Sequence, residues 1–463
     1  MRGLAMIGLV LAACSVPGKF LVTGDAGGDD APPVDGTMVP SGEYVWIRSM
    51  SSITTYGVAA GAAGLTIVGG LTVPGDLGGG TLTPVGSYDM VVGGLAEADA
   101  SHIYSKRIGD TASEFGFLDV TDSSGAPLVY GLTSGTPYDL GLGSTASGGG
   151  TDGFIGKYGP NAPSWVQRAY GTLDDKFLIS ARGAGSTVYA GGYFEGTTLF
   201  NGGQMTSAGG RDALLARMNT FTGAVDLTKQ YGGTGRDEVS GVFATTGGLI
   251  LTGLFDDTIN FGGTSSPLTS GGLLDIYIAK LDTNGAGVWA VRYGGAGDDR
   301  DVRVAVDGSG DIYIAGTFQQ TLSFGTIMLT ANGAADAFVA KLRGTDGSPI
   351  WATSFGGTGD DAIRGIGVDA QGRVAVSGWV TGAIDGGTTL GGADAVITSY
   401  AAADGMMRWR KVYSTAGDDR AWPMTYGTSG DLFVGVHLGG TYDFGHAVIG
   451  PASPASVIVR ISP

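Results

Sequence analysis

Apolar residues in this chain fall in short runs separated by glycine, aspartate and serine. Asp301-Val302-Arg303-Val304-Ala305-Val306-Asp307 alternates between polar and apolar positions. After the turn Gly308-Ser309-Gly310, the run Asp311-Ile312-Tyr313-Ile314-Ala315-Gly316-Thr317-Phe318 alternates again. Successive side chains of a strand point to opposite faces, so two such runs about a glycine turn predict a β-hairpin. A long loop leads to a third strand, Asp336-Ala337-Phe338-Val339-Ala340-Lys341-Leu342. A Gly/Asp turn then leads to a fourth, Ile350-Trp351-Ala352-Thr353-Ser354-Phe355.

This four-strand unit repeats. Its fourth strand is marked by Trp46, Tyr104, Val166 (after Trp165), Leu227, Trp289, Trp351 and Trp409, at spacings of 58, 62, 61, 62, 62 and 58 residues. The third strand recurs at Asp89, Asp152, Asp212, Asp275 and Asp394. Its last copy, Ser456-Val457-Ile458-Val459-Arg460-Ile461, lacks the leading Asp. A near-constant period of this length, built of strands, predicts propeller blades. The folded part opens on a fourth-strand segment, Tyr44-Val45-Trp46-Ile47-Arg48, and closes on a third-strand segment. Pairing the two would complete one blade and hide the edges that an open array exposes. The expected fold is therefore all-β, a seven-bladed β-propeller of four-stranded antiparallel blades over 43–463, its last blade completed by the N-terminal strand.

After the fourth strand comes a Gly-Gly-x-Gly-Asp-Asp element, as in Gly294-Gly295-Ala296-Gly297-Asp298-Asp299 and Gly356-Gly357-Thr358-Gly359-Asp360-Asp361. A related end is Gly417-Asp418-Asp419. These residues resemble the SBBP-type β-propeller repeats of bacterial surface proteins, most closely over about 226–420. The resemblance implies the propeller fold and says little about activity, because propellers host many functions.

Composition narrows the class. Glycine is abundant, at 88 of 463 residues, but follows no G-X-Y pattern, so collagen is excluded. An apolar share of 43% is enough for a core. The formal net charge is −17, which disfavours nucleic acid as a partner and suits a solvated surface.

The N-terminus reads as a targeting segment. Arg2 precedes the small, apolar stretch Gly3 to Val10, and Leu11-Ala12-Ala13-Cys14 follows. The stretch is too short to span a bilayer as a helix. It resembles a bacterial lipoprotein signal, which implies cleavage after residue 13 and lipidation of Cys14, the chain's single cysteine. Acyl chains such as palmitate would anchor the protein at an outer membrane or cell surface, and Ser15 rather than Asp after the cysteine favours the outer membrane by the same resemblance. Residues 14–42, rich in Gly, Asp and Pro, read as a flexible tether.

Candidate chemistry is sparse. The Asp pairs Asp298-Asp299, Asp360-Asp361 and Asp418-Asp419, with variants Asp174-Asp175 and Asp237-Glu238, are expected to accept backbone N–H bonds and fix turns. Calcium at these pairs is the alternative, raised by a weak likeness to the Gly-Gly-x-Gly-x-Asp calcium nonapeptide. One pair falls short of the six to eight oxygens that calcium takes. Lys176, Arg300, Arg364 and Arg420 follow the pairs. They would ring the central channel and hold an anion, or bond to the neighbouring Asp residues. The recurring Trp residues suit packing between sheets. Arg48, Arg168, Lys229, Arg292 and Lys411 on the outer strand would protect an edge.

No Gly-x-Ser-x-Gly elbow, P-loop or regular His set is present. The leading expectation is a monomeric binding or scaffold module for a protein or glycan at the cell envelope, with no required cofactor. One alternative is a polysaccharide hydrolase or lyase using the divergent last unit, with Trp422, Tyr426, His437, Tyr442 and His446. The other is a purely structural adhesion protein.

Overall fold

The computed structural model describes residues 21–23, 42–50, 52–134, 138–145, 148–384, 390–445, 448–449 and 455–462. Among them every regular element is a strand. The unit first read from the sequence is an antiparallel sheet of Arg300–Val306, Ile312–Phe318, Asp336–Leu342 and Pro349–Phe355, in that order. The same order holds from Thr54 to Ile108, from Asp237 to Tyr293 and from Ala362 to Tyr413. Two further units, from Ser113 to Gly171 and from Asp175 to Tyr231, are joined because Thr187–Phe200 overruns its sheet and pairs with Trp165–Gly171. This is β-propeller architecture built from a repeat.

The last sheet draws on both ends of the chain. Arg420–Tyr426, Leu432–Leu438 and Ala455–Ile461 are followed by Tyr44–Met50, which pairs antiparallel with Ala455–Ile461 from Tyr44↔Ile461 to Met50↔Ser456. Leu21–Thr23, inside the segment read as a tether, adds a parallel fifth strand outside it. The innermost strand Thr54–Gly61 packs against the innermost strands of both neighbours, Ser113–Thr121 and Arg420–Tyr426. The signal segment, Cys14 and most of the expected tether lie outside the described residues.

Two details differ from the sequence reading. Strands two and three do not alternate between core and solvent. All of Ile312–Phe318 and of Gly248–Phe255 is buried, because each sheet is covered on both faces by its neighbours. The long loop after strand two carries a hairpin of its own, as with Thr321–Phe324 and Ile327–Thr330.

The ladder register fixes the repeat. Trp46, Tyr104, Trp165, Leu227, Trp289, Trp351 and Trp409 each stand opposite the equivalent residue of strand three, such as Lys280 for Trp289 and Lys341 for Trp351. The third-unit marker is thus Trp165 rather than Val166. The five Trp positions reach the next sheet. Trp165 and Trp351 donate their indole N–H to the carbonyls of Thr220 and Ala402, in the turn between strands three and four of the following unit.

Those turns carry a glycine in left-handed conformation: Gly223, Gly347 and Gly405, against the rings of Trp165, Trp289 and Trp351. At the last sheet, the corresponding turn is split between the chain ends. Gly42 bonds to the Ser462 carbonyl and lies against Trp409, while Trp46 donates to the Glu97 carbonyl. The outer-strand cations are also fastened. Arg48 is buried and donates to the Leu77 and Ala100 carbonyls, and Arg292 pairs with Asp275.

At Gly347 a Cβ would stand 2.8 Å from the Trp289 ring, on a backbone of φ +74°. Gly347→Ala should therefore destabilise the fold by roughly 1–2 kcal/mol, from left-handed strain and a displaced indole. Urea unfolding would read this, and an unchanged midpoint would refute the inter-sheet role of the Trp–Gly contact.

Candidate functional site

The Asp pairs sit where the chain crosses from strand four of one sheet to strand one of the next. Their two members do different work. The first reaches back to the sheet just left: Asp174 and Asp418 accept the backbone N–H of Thr151 and Ala393. The second is buried and closes the crossover. Asp299 accepts from Gly295 N–H at 2.9 Å, and Asp361 from Gly357 at 2.7 Å. Asp361 and Asp419 also accept from Thr381 and Gly439, in the loops of their own sheets. Asp361 and Asp419 thus each tie the crossover to the end of strand two.

That second Asp meets another buried acid, the one leading the third strand of the preceding sheet. The pairs are Asp89 with Glu114, Asp152 with Asp175, Asp212 with Asp237, Asp275 with Asp299, Asp336 with Asp361 and Asp394 with Asp419. A glycine lies at the junction in five of the six pairs, and Ser414 takes its place beside Asp394. At Gly294 a Cβ would lie 1.9 Å from Asp275 Oδ1 and 3.0 Å from Asp299 Oδ2, so only glycine fits between. Oδ1 of Asp237 and of Asp275 is buried with no hydrogen-bond partner.

Burial, reinforced by the like-charged partner, pushes these acids up: Glu114 and Asp299 to about 8, Asp175 and Asp237 to about 7, Asp361 to about 6. Arg107 and Arg292 neutralise the other member in two pairs, bonding to Asp89 and Asp275. Among the described residues, no three His, Cys, Asp or Glu side chains gather as a metal site. Glu114 and the strand-three acids were not recognised as partners from the sequence. The available signal was a second recurring acid 23 to 25 residues before the buried crossover acid, as in Asp152 to Asp175, Asp275 to Asp299 and Asp336 to Asp361.

A different site lies among the innermost strands. Each carries a bulge, between Thr55 and Gly57, Leu118 and Val120, Phe177 and Ile179, Val239 and Gly241, Arg300 and Arg303, Ile363 and Gly365, and Ala421 and Met424. A bulge leaves a residue outside the ladder and re-aims its side chain. Tyr56, Asp119, Leu178, Arg364 and Trp422, all at bulges, line a common cavity of about 590 Å³ together with Phe117, Tyr130 and Arg303. Asp119 is open to the cavity yet enclosed by protein. That enclosure raises its pKa, while Ser180 N–H, Arg303 and the Tyr130 hydroxyl oppose the rise.

Arg364 also borders a second cavity of about 500 Å³ with Arg300, Arg420, Trp379, Asp301 and Asp360. The guanidinium groups of Arg364 and Arg420 lie over the Trp379 ring, 5.2 and 5.0 Å from its centre. Three of the four basic residues that follow the Asp pairs are thus brought together. Lys176 stands apart, near Asp174 and over the Tyr193 ring.

Of the last-unit residues named for a hydrolase or lyase, those described fall in different places. Trp422 and Tyr426 face the cavity. His437 donates its Nε2–H to the Thr55 carbonyl at 2.7 Å, and burial lowers its pKa to about 4, so it is neutral at pH 7. Tyr442 packs at the other side of the sheet on Tyr413 and Phe444. His446 lies outside the described residues.

No family model matches the chain. The regulatory protein FlaEY of Caulobacter vibrioides is 24% identical over 379 residues, covering 74% of this chain and 39% of that protein. An uncharacterized WD repeat-containing protein of Acanthamoeba polyphaga mimivirus is 27% identical over 131 residues, 23% of this chain and 9% of that protein. The chain therefore spans well under half the length of these curated relatives. Among solved structures, the quinohemoprotein alcohol dehydrogenase of Comamonas testosteroni has a TM-score of 0.41 at 11% identity, over 89% of this chain and 75% of that one. The Pan2 WD40 domain of Neurospora crassa has a TM-score of 0.42 at 11% identity, over 89% of this chain and 90% of that one. At this distance neither neighbour's chemistry transfers to this chain.

The acid pairs imply a pH dependence. A carboxyl raised in the fold binds a proton that the unfolded chain has released, so its stabilising contribution is full below about pH 4 and is lost as pH rises through the folded value near 8. Stability should fall between pH 5 and pH 9. Asp299→Asn keeps the acceptor for Gly295 and removes the charge. It should flatten that fall and raise stability at pH 9 by on the order of 1 kcal/mol. Denaturant titrations at both pH values would show it. An Asp299→Asn protein with the wild-type slope would exclude a protonated pair at this junction.

Proposed function

We propose that this chain is an exported, lipid-anchored propeller of seven blades, of the SBBP-like repeat type, that acts as a binding or scaffold module for a protein or glycan at the cell envelope. Closure rests on the split last sheet, where Tyr44–Met50 completes Ala455–Ile461, and on the contact of Thr54–Gly61 with the innermost strands on either side. Export and anchoring rest on Leu11-Ala12-Ala13-Cys14, with residues 15–42 as the spacer.

The observation that carries the binding role is the bulge-lined cavity. Its size lies in the range of ligand sites, and its apolar and aromatic wall includes few, convergent polar groups: Asp119, Tyr130, Arg303 and Arg364. Aromatic faces such as Phe117 and Trp422 suit a sugar ring or an inserted side chain.

Two measurements test this reading. Cys14→Ser should move the protein from the membrane fraction to the soluble one and abolish incorporation of labelled palmitate; retention on the membrane would refute the anchor. Trp422→Ala, with its melting temperature followed in parallel, should weaken capture on a glycan or envelope-protein array by about tenfold or more. Ligand capture untouched by Trp422→Ala would remove the cavity as the binding seat.

A further inference from the structure

We infer that the Arg300–Arg364–Arg420 cavity binds an oxyanion, a carboxylate or phosphate carried on a sugar-like ring; this rests on the adjoining cavity being the ligand seat. The three arginines come from the first strands of successive sheets, at Arg300–Val306, Ala362–Val368 and Arg420–Tyr426. They converge on one cavity in a chain whose formal net charge is −17. Asp301, Asp360 and Asp361 share the lining and balance the three guanidinium groups in formal charge, so what the cavity offers an anion is directed N–H donors.

Their internal partners leave donors over. Arg364 gives one nitrogen to Asp301, and Arg420 stands 3.6 Å from Asp418, whose side chain is largely exposed. The Nε groups of both are buried with no acceptor. Among the described residues, no carboxylate lies within ion-pairing distance of Arg300. Of the cavity's carboxylates, Asp361 is engaged by Gly357 and Thr381, and Asp301 by Arg364. Asp360 also lines the cavity, and among the described residues its carboxylate forms no ion pair with an arginine. An unengaged, partly desolvated guanidinium fork matches the two oxygens of a carboxylate or phosphate.

The scaffold holds this arrangement under load. Arg300 and Arg303 crowd Arg364, and burial together with those like charges lowers its pKa. Trp379 keeps Arg364 and Arg420 against its ring, and Arg364 also lies over Trp422. Asp301, which orients Arg364, adopts a left-handed backbone at φ 61°. Such strain in a non-glycine residue persists where the surrounding structure imposes it. Arg364 belongs to both cavities, so an oxyanion held here would place its ring towards Trp422 and Tyr56.

The test is calorimetric titration of the full chain in detergent micelles with trigalacturonate, its methyl ester and inorganic phosphate. Trigalacturonate should bind, weaken with added salt and lose about tenfold or more in affinity on esterification. Arg300→Gln and Arg420→Gln should each weaken it about tenfold with unchanged melting temperatures. Phosphate binding with the same arginine dependence, and none by trigalacturonate, would uphold the oxyanion site and assign it to phosphate. Silence with both oxyanions, or equal affinity in Arg300→Gln and Arg420→Gln, would overturn it. A neutral glycan whose binding depends on Trp422 but not on the arginines would overturn it too, while leaving the binding module standing.

Discussion

A twisted sheet with two apolar faces is unstable unless both are covered, and this requirement governs the molecule. Ile312–Phe318, Gly248–Phe255 and Asp89–Leu95 are buried throughout, so no unit here is a sandwich half with a wet side. Each sheet needs two neighbours. The joints answer that need. Trp165, Trp289 and Trp351 leave their own sheet to lie on a glycine turn of the next, and the left-handed glycine lets an indole approach the backbone. At the chain ends the same joint is made from two pieces, Ser462 and Gly42, with Trp409 against the latter. The contact that links ordinary neighbours also links the first and last segments of the fold.

The buried acids follow from the crossover loop. Between Tyr293 and Arg300 the chain turns through Gly294 to Asp299, exposing backbone N–H groups towards the interior. A carboxylate is the compact acceptor that serves several at once. Two acids then face each other across a glycine, and burial beside a like charge favours the protonated form of Asp299. The junction from Met50 to Thr54 is different. The intervening loop is shorter, and the places of the two acids are taken by buried Ser456 and Ile53. With fewer loop N–H groups to satisfy, the acid pair is dispensable, and His437 bridges this joint by bonding to Thr55. The repeat's acids are thus tied to loop length rather than to the sheet itself.

The strands were legible because their periodic runs and turn residues are local. Asp336–Leu342 was located to the residue, and the incomplete ends, Trp46 and Ile458, announced their pairing. Burial of both faces was less legible, since the same Ile-Tyr-Ile run serves a half-wet or a fully covered strand. The Asp pairs were visible, but their partners were not, because Asp275 and Asp299 meet only through tertiary packing. The bulges left no pattern at all. Arg364 was noticed for following an Asp pair, whereas its place between two cavities depends on one extra residue in the ladder between Ile363 and Gly365.

That extra residue explains why specificity is concentrated on the innermost strands. Strands two and three are held by neighbours on both faces, and strand four by the Trp–Gly joint, so their residues recur from sheet to sheet. A bulged side chain is released from the ladder and faces the cavity, where no neighbouring sheet dictates its shape. The bulge positions are accordingly unalike: Tyr56, Asp119, Leu178, Ser240, Arg364 and Trp422. Ser240 does not line the cavity and donates to the Val302 carbonyl. The rest put an acid, a base and aromatic rings around one space without disturbing the packing outside it. A repeat that is uniform for stability can therefore carry an asymmetric lining, with positive charge gathered at Arg300, Arg303, Arg364 and Arg420 while Asp119 stands in the wall of the larger cavity.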